Sequence, residues 1–562
     1  MSQVDVVLFV KGKGSDAASY RPRRDESQWW NRRDALVRCV AAYLLGPRGP
    51  SCVKKSMVLI FDEDWARICL EPMDGQVHLK FIPTEKNVIS LLKKVAEAVP
   101  GTPVQEQGIQ ATMILSKNAV IDDLHSKLDS KRSILEHLQK ICSIEFLREH
   151  SLNSSAAAIL KKTNKQKLIG LWKTWMQQTS TNPESDMKIS LMPILQDVLY
   201  SKGTTTKTVA AILHESGNNE LPVWNKDPSF LPGSRAILFL GAVRDMQQVE
   251  NECLASVCRQ NTIPLVKIRL SRVPEFTSKI LSIVAFHCAH GFLWPALEDL
   301  LAQNNRKRVH GSNLVIDHTS RHLDVVCMVP IKPEEIVTDL EARTRLLWSL
   351  VRCSVVTLWR SKIHADASVS PLVNRLHLLF KDGRYLTIQQ DELISQLAEQ
   401  HQAAPCEFQI LSALRKRVAV VMNSSMSSIQ WNKVAESLVK LIKKGSPPPF
   451  RVISTVSSVA TNFLEDFYCN DPDGCTSRGS YILLIALESS SDLSKSFEDA
   501  FLATWTEKEP DVMILKGYFA EACLDAPASS ITIMQHIAYQ GRLASTFEKF
   551  HLHSDRNFKR KL

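Results

Sequence analysis

A strand with an apolar core stands at residues 233–241, Gly-Ser-Arg-Ala-Ile-Leu-Phe-Leu-Gly, and this stretch decides the fold class. Short, nearly continuous apolar blocks are typical of strands in a parallel sheet that helices cover on both faces. Residues 479–485, Gly-Ser-Tyr-Ile-Leu-Leu-Ile, repeat the pattern. Each block is followed by a polar helix and then by a second strand, Leu265–Leu270 or Val512–Leu515. The sequence therefore predicts an α/β fold.

The segments upstream of these strands also correspond. A helix containing Arg38-Cys39 precedes a strand at Met57–Phe61, a turn, a strand at Val77–Phe81 and a helix from about Glu85. After residue 340 the same order returns, with Arg352-Cys353 in the helix. We therefore predict two related tandem units, although any two α/β domains share this general order, and that alternative stays open. The first unit is assigned to 1–128 and 221–305, a helical basic insertion to 129–220, and the second unit to 330–562.

The insertion has helical periodicity and clustered lysines. Trp172 and Trp175 lie on its apolar stripe. The lysines beside this stripe include Lys161, Lys162 and Lys165. A basic helical module with aromatic residues is a candidate reader of nucleic acid. The alternative is that the tryptophans form its core and the lysines its solvated face.

Composition limits the class of protein. The 562 residues carry 69 Lys+Arg against 59 Asp+Glu, a net charge of +10, and 44% of them are hydrophobic, which excludes a disordered or collagen-like chain. Thirteen cysteines without regular spacing indicate reduced thiols. No apolar run reaches the roughly 18–20 residues that span a bilayer, and no signal peptide is legible. We expect no membrane association and a cytoplasmic or nuclear protein.

Common catalytic motifs are absent from the sequence. There is no G-x-S-x-G, no H-E-x-x-H and no G-x-x-x-x-G-K-[ST]. His287, Cys288 and His290 are ligand types, but neighbours on one helix cannot close a tetrahedral site alone, so no metal is predicted. No catalytic residue can be named.

One strand end has the character of a ligand site. The strand and loop at Ile237–Asp245 carry Gly241 at the carboxyl end of the strand, where open α/β sheets bind ligands because glycine lets backbone amides approach closely. Residues Ile268–Lys279 form a second strand end that runs through a polar loop into a helix.

These two segments, with Arg33-Asp34-x-Leu36-x-Arg38-Cys39-Val40 and Pro83-Thr84-Glu85-Lys86-Asn87, resemble the SPOUT (α/β-knot) RNA methyltransferases. Within that superfamily they are most similar to the TrmY-like tRNA pseudouridine methyltransferases. The resemblance implies a trefoil-knotted fold, S-adenosylmethionine as cofactor and RNA (tRNA or rRNA) as substrate. Because such enzymes work as dimers, it also implies that the tandem units form an intramolecular pseudo-dimer.

The resemblance assigns roles to particular residues. Gly241 would lie under S-adenosylmethionine, and Leu270, Ser271 and Pro274 would form the knot loop around it. The residues expected to face RNA phosphates are Arg32, Arg33, Arg38 and Lys86. Gly241 as a tight turn, Pro274 as a first helical turn and Arg33 as a surface charge are the alternatives.

The sequence departs from the family at several positions. Gly241 is followed by Ala242-Val243-Arg244 instead of an acidic residue, histidine and glycine, and Ile280 replaces an expected cysteine. In the second unit the counterpart of Gly241 falls at Ala486 or Leu487, whose side chains would crowd a ligand. We therefore expect at most one methyltransferase site, in the first unit. The alternative is a non-catalytic pseudoenzyme or scaffold in a ribonucleoprotein or chromatin complex.

Overall fold

The structure is a computed structural model of the chain. It describes residues 2–14, 17, 33–46, 53–73, 84–106, 108–115, 183–200, 207–214, 219–220, 232–242, 245–270, 277–289, 291, 293–305, 321–338, 344–358, 372–389, 407–422, 429–456, 479–487, 492–516 and 526–540.

The first sheet has nine strands in the order β4-β5-β3-β2-β1-β8-β6-β9-β7. They are β1 (Ser2–Val10), β2 (Val53–Phe61), β3 (Arg67–Pro72), β4 (Pro103–Glu106), β5 (Ile109–Ile114), β6 (Lys207–Leu213), β7 (Asn219–Glu220), β8 (Ser234–Gly241) and β9 (Leu265–Arg269). Neighbouring strands are parallel throughout the part of the sheet that runs β2-β1-β8-β6-β9-β7. At the other end, β3, β5 and β4 pair antiparallel with one another, and β3 pairs antiparallel with β2.

The second sheet has six strands in the order β12-β11-β10-β14-β13-β15. They are β10 (Arg321–Val329), β11 (Leu372–Phe380), β12 (Tyr385–Gln389), β13 (Phe450–Ser454), β14 (Ser480–Ala486) and β15 (Met513–Lys516). The hairpin between β11 and β12 turns at Gly383, whose φ of 83° favours glycine.

The two sheets share one topology. From its antiparallel strand outward, the first sheet runs β3-β2-β1-β8-β6-β9 and the second runs β12-β11-β10-β14-β13-β15, so each strand has a counterpart. In both sheets the strand that comes late in the chain, β8 or β14, is inserted beside the first strand of its unit. The predicted α/β fold with two tandem related units is confirmed.

Helices cover both faces of each sheet. In the first unit they are α1 (Arg33–Leu44), α2 (Glu85–Glu97), α3 (Pro183–Tyr200), α4 (Gln248–Gln260), α5 (Thr277–Ala289) and α6 (Leu293–Asn305). In the second unit they are α7 (Pro333–Thr338), α8 (Thr344–Leu358), α9 (Glu407–Val421), α10 (Trp431–Gly445), α11 (Asp492–Lys508) and α12 (Ala526–Gln540). In the first unit, α3 and α4 pack on one face of the sheet, and α1, α2, α5 and α6 pack on the other. In the second unit, α10 and α11 pack on one face, and α7, α8, α9 and α12 pack on the other.

The two units pack against each other through α5 and α12. Phe286 of α5 lies in the core of the second unit. Lys279 Nζ donates to Gln535 Oε1 at 2.9 Å, and Gln535 Nε2 donates to the carbonyl of Val356 at 2.9 Å. Because side chains of the first unit are buried in the second, the two units form the predicted intramolecular pseudo-dimer.

The structure changes the boundaries drawn from the sequence. Strand β6, Lys207–Leu213, falls inside the range 129–220 assigned to the insertion, yet it pairs with β8 and β9 in the middle of the parallel sheet. Strand β10 begins at Arg321, before residue 330. The strand predicted at Val77–Phe81 and the helices predicted between 129 and 182 lie outside the described residues.

None of the described helices is long and apolar enough by itself to cross a bilayer, and one bent pair, Thr277–Ala289 with Leu293–Ala302, reaches the threshold jointly.

Candidate functional site

The carboxyl end of β8 meets the start of α5. Thr277 Oγ1 donates a hydrogen bond to the carbonyl oxygen of Gly241 at 2.8 Å. Gly241 is half-buried, and the amide of Ala242 donates to the carbonyl of Phe9 on the neighbouring strand at 3.0 Å. The chain has therefore returned from the far side of β6, where β9 lies, to the end of β8. The two segments singled out in the sequence lie at one sheet edge.

The register identifies the counterpart of Gly241 in the second unit. Gly241 pairs with Phe9 in β1, and Ala486 pairs with Met328 in β10. The next amide, that of Leu487, donates to Met328 O at 3.1 Å, as Ala242 does to Phe9. Of the two candidates left open by the sequence, Ala486 is the equivalent residue, so a methyl group stands where the first unit has none.

Of the four residues expected to hold the cofactor, Gly241 and Leu270 lie within the described residues. Gly241 lies at the half-buried end of β8 described above. Leu270 is 5% exposed and packs in the first core, so only its backbone can face a ligand. Ser271 and Pro274, with the rest of the expected knot loop, lie outside the described residues. The fit of an adenosyl cofactor therefore depends here on Gly241.

The expected RNA-facing residues also separate into groups. Arg38 is buried, and its Nη1 lies 3.6 Å from Glu85 Oε1, so the expectation that it faces RNA does not match its surroundings. Lys86 is exposed at the start of α2, whereas Arg33 begins α1 with its side chain undescribed. The residues outside the described ranges are Arg32, Lys161, Lys162 and Lys165.

Arg38 lies beside a reciprocal contact between the units, called here the exchange of glutamates, in which Glu85 and Glu407 each accept a hydrogen bond from the other's backbone N–H. The backbone N–H of Glu85 donates to Glu407 Oε2 at 3.1 Å, and the N–H of Glu407 donates to Glu85 Oε1 at 3.2 Å. Each glutamate begins a helix, α2 or α9, so each carboxylate occupies the positive end of the other unit's helix. Arg352 Nε lies 3.8 Å from Glu407 Oε1, as Arg38 lies near Glu85. The contacts repeat across the interface as in a two-fold dimer.

A buried carboxylate lies in the first strand of the first unit. Asp5, 1% exposed, accepts from Arg235 Nε at 2.6 Å and from the hydroxyl of Ser56. Arg235 also donates to the carbonyls of Leu199 and Val198, both at 2.8 Å, at the end of α3. The pair therefore satisfies orphan carbonyls at a helix carboxyl terminus.

The second unit has an equivalent carboxylate with a different arginine. Asp324 accepts from Arg375 Nε at 2.7 Å and Nη2 at 2.9 Å, and Arg375 also reaches the carbonyl of Ile442 in α10. His377 Nε2 lies 2.9 Å from Asp324 Oδ1. Burial raises the pKa of Asp324, but its contacts with His377 and Arg375 outweigh burial, so the net pKa is lowered.

Sequence reasoning missed these charged pairs. Their signal is a charged residue within an otherwise apolar strand, as in Val4-Asp5-Val6 and Leu323-Asp324-Val325. A charge at such a position is buried and needs a partner.

The described cysteines and His287 lie in buried or half-buried positions. The seven described cysteines are free, and burial raises the pKa of Cys288 to about 12. His287 and Cys288 are buried in α5. Over the described ranges, no three His, Cys, Asp or Glu side chains gather in a way that could hold a metal ion.

The chain matches the model of a known protein family over part of its length. Residues 117–186 match the model of the basic tilted helix bundle domain. This range overlaps the insertion predicted at 129–220 and includes its lysine cluster. No curated protein matches the chain.

Proposed function

We propose that this protein binds RNA and is an S-adenosylmethionine-dependent RNA methyltransferase of the SPOUT type with one site, at the end of β8. The observation that carries the proposal is the meeting of Gly241 with Thr277. It places a strand-end glycine beside the helix that follows the expected knot loop. Ala486 at the equivalent position supports a single site, because its methyl group occupies space that the glycine leaves open.

The residues of this chain would act through the backbone. S-adenosylmethionine, when bound, supplies an electrophilic methyl group. Gly241 would let the strand end approach it, and the Thr277 hydroxyl would hold the Gly241 carbonyl in place.

The RNA part of the proposal draws on the insertion. Its match to a basic helix bundle domain agrees with the clustered Lys161, Lys162 and Lys165. Lysines that neutralise phosphates release counterions, so such binding weakens with salt. Lys86, exposed on α2, adds to the basic surface of the first unit.

Calorimetric titration of the full chain with S-adenosylmethionine tests the cofactor site. We expect 1:1 binding that Gly241→Arg abolishes. The matched control, Ala486→Arg, introduces the same side chain at the equivalent position and should leave binding intact. Loss of binding in both variants, or in neither, contradicts a single site at Gly241.

Salt-dependent RNA binding tests the insertion. Replacing the three lysines with glutamate should reduce the slope of log K against log salt by about 2, since each contact with single-stranded RNA contributes about 0.7. Lys440→Glu, at an exposed position on α10 of the second unit, is the control and should leave the slope unchanged. An unchanged slope in the triple variant refutes the role of the insertion.

A non-catalytic scaffold is the second candidate. It is favoured by the burial of Leu270 in the core and of Arg38 in the interface, since neither side chain is free to serve a reaction. RNA binding without any heat from S-adenosylmethionine would select this candidate.

A further inference from the structure

The antiparallel end of the sheet differs between the two units. In the first unit, strand β5 pairs along the outer edge of β3, from Arg67 with Ile114 to Pro72 with Ile109. In the second unit the counterpart of β3 is β12, the last strand of its sheet, and over the described ranges no strand pairs with its outer edge. The second sheet therefore ends where the first sheet continues.

The order of elements along the chain explains this difference. Strands β4 and β5 occupy residues 103–114, between α2 and α3. The equivalent helices of the second unit are α9 and α10, and the chain between them consists of residues 422–430. This segment has too few residues for two such strands and their connections to two helices. The second unit therefore has no counterpart of the β4-β5 hairpin at the equivalent place in its chain.

Alternate residues of β12 direct their backbone groups toward the outer edge. The N–H of Phe380 donates to the carbonyl of Arg384 at 2.9 Å across the β11-β12 turn. Hydrogen-bonded and non-hydrogen-bonded pairs alternate along an antiparallel ladder. Leu386 therefore bonds to β11, whereas Tyr385 and Thr387 point their N–H and C=O groups away from β11.

The sequence of β12 lacks the features that keep edge strands from pairing with other chains. Proteins protect sheet edges with charged residues, proline or very short strands. Strand β4 begins with Pro103 and ends with Glu106, β7 has two residues, and β15 ends with Lys516. Strand β12 reads Tyr-Leu-Thr-Ile-Gln, with neither charge nor proline, and four of its five residues have high or moderate propensity for strands.

An apolar side chain of β12 is also incompletely covered. Leu386 lies opposite Leu378, and Ile68 lies opposite Leu59, at equivalent positions of the two hairpins. Ile68 also pairs with Met113 of β5 and is fully buried, whereas Leu386 is half-buried. A strand added to β12 would therefore bury apolar surface that β5 helps to bury in the first unit.

We propose that the outer edge of β12 binds an extended segment of another protein, which adds an antiparallel strand to the second sheet. Strand β5 indicates the chemistry of this segment: it is uncharged, and its alternate residues Ile109, Ala111 and Met113 are apolar and buried. In such complexes main-chain hydrogen bonds give affinity and alternate side chains give specificity. The proposal is independent of the methyltransferase function, because Gly241 ends a strand of the first sheet.

The probe is a fluorescent peptide with the sequence of β5, Ile109–Ile114, between polar linkers, measured on the full chain by fluorescence polarisation. The control peptide has the same residues reordered so that apolar and polar residues no longer alternate. We expect saturable binding of the first peptide and about tenfold weaker binding of the second. Equal binding of both, no binding at millimolar chain concentration, or self-association of the chain through β12 in place of peptide binding overturns the proposal.

A charge on the edge should block the added strand. Leu386→Lys should weaken peptide binding by at least about tenfold, whereas Gln105→Lys, at an exposed position on edge strand β4, adds the same charge to the other sheet and should not. If Leu386→Lys fails to fold, hydrogen exchange of the natural chain decides. The peptide should slow exchange of the Tyr385 and Thr387 amides, and unchanged exchange at both amides refutes the assignment.

Discussion

The exchange of glutamates between the units should stabilise their association strongly. In Glu407→Ala the N–H of Glu85 loses a charged acceptor at 3.1 Å, and Arg352 loses a carboxylate at 3.8 Å. A hydrogen bond to a charged group contributes about 1.5–3 kcal/mol, and a buried pair broken on one side costs about 3–5 kcal/mol. Because the arginine contact is longer than a close pair, we expect a loss of about 3 kcal/mol.

Hydrogen exchange measures this loss locally. The amide of Glu85 lies in the interface, and a 3 kcal/mol loss corresponds to roughly a hundredfold faster exchange when exchange follows opening of the interface. Urea denaturation followed by tryptophan fluorescence gives the global value. Glu97→Ala is the matched control, since Glu97 is exposed and its carboxylate lies 3.8 Å from Lys93 Nζ; it should cost less than about 0.5 kcal/mol.

A double-mutant cycle that combines Glu407→Ala with Glu85→Ala measures the interaction energy between the two glutamates. It shows whether they stabilise one interface together or cap two helices independently. If the units hold together through both carboxylates, the two substitutions should be non-additive by at least about 1 kcal/mol. A cost for Glu407→Ala as small as that of Glu97→Ala would refute the reasoning.

Three further results are expected. Arg235→Met should cost about 3–5 kcal/mol in urea unfolding because it leaves a buried carboxylate without its cation, whereas Arg67→Met, whose partner is exposed, should cost less than about 1 kcal/mol; equal costs would contradict the assignment. The lowered pKa of Asp324 means that its charge stabilises the fold above about pH 4, the unfolded value, and that this contribution is lost as pH falls below it; Asp324→Asn should be less stable at pH 7 and should lack this part of the acid dependence. Burial raises the pKa of Cys258 and Cys288 to about 12, so iodoacetamide at pH 8 should label neither before unfolding, as mapped by mass spectrometry; rapid labelling of the native chain would show that these thiols are accessible.

The sequence predicts the fold better than it predicts the site. Apolar strand blocks such as that ending at Gly241 are local signals, and they indicate strands, helices and the repeat. The position of β6 was missed because Lys207–Leu213 follows a helical segment, and only its pairing with β8 and β9 identifies it as part of the sheet.

The partners of charged residues escape sequence reasoning for the same reason. The sequence predicts that Arg38 faces RNA phosphates, yet its surroundings depend on Glu85 and on helix α9, more than 300 residues further along the chain. Arg235 and Asp5 are separated by 230 residues. Such contacts depend on the topology of the folded chain, which cannot be derived from local patterns in a single sequence.

The one-to-one pairing of β strands between the units bears on how this protein can change. In an assembly of two identical chains every substitution appears twice, so a residue that improves one site alters the other as well. Here Ser56 and Arg375 occupy equivalent positions on one polypeptide, and either can be substituted without changing its counterpart. Fusion thus lets the two halves neutralise equivalent carboxylates with arginines from different strands, Arg235 for Asp5 and Arg375 for Asp324, while a covalent link fixes the stoichiometry of the halves.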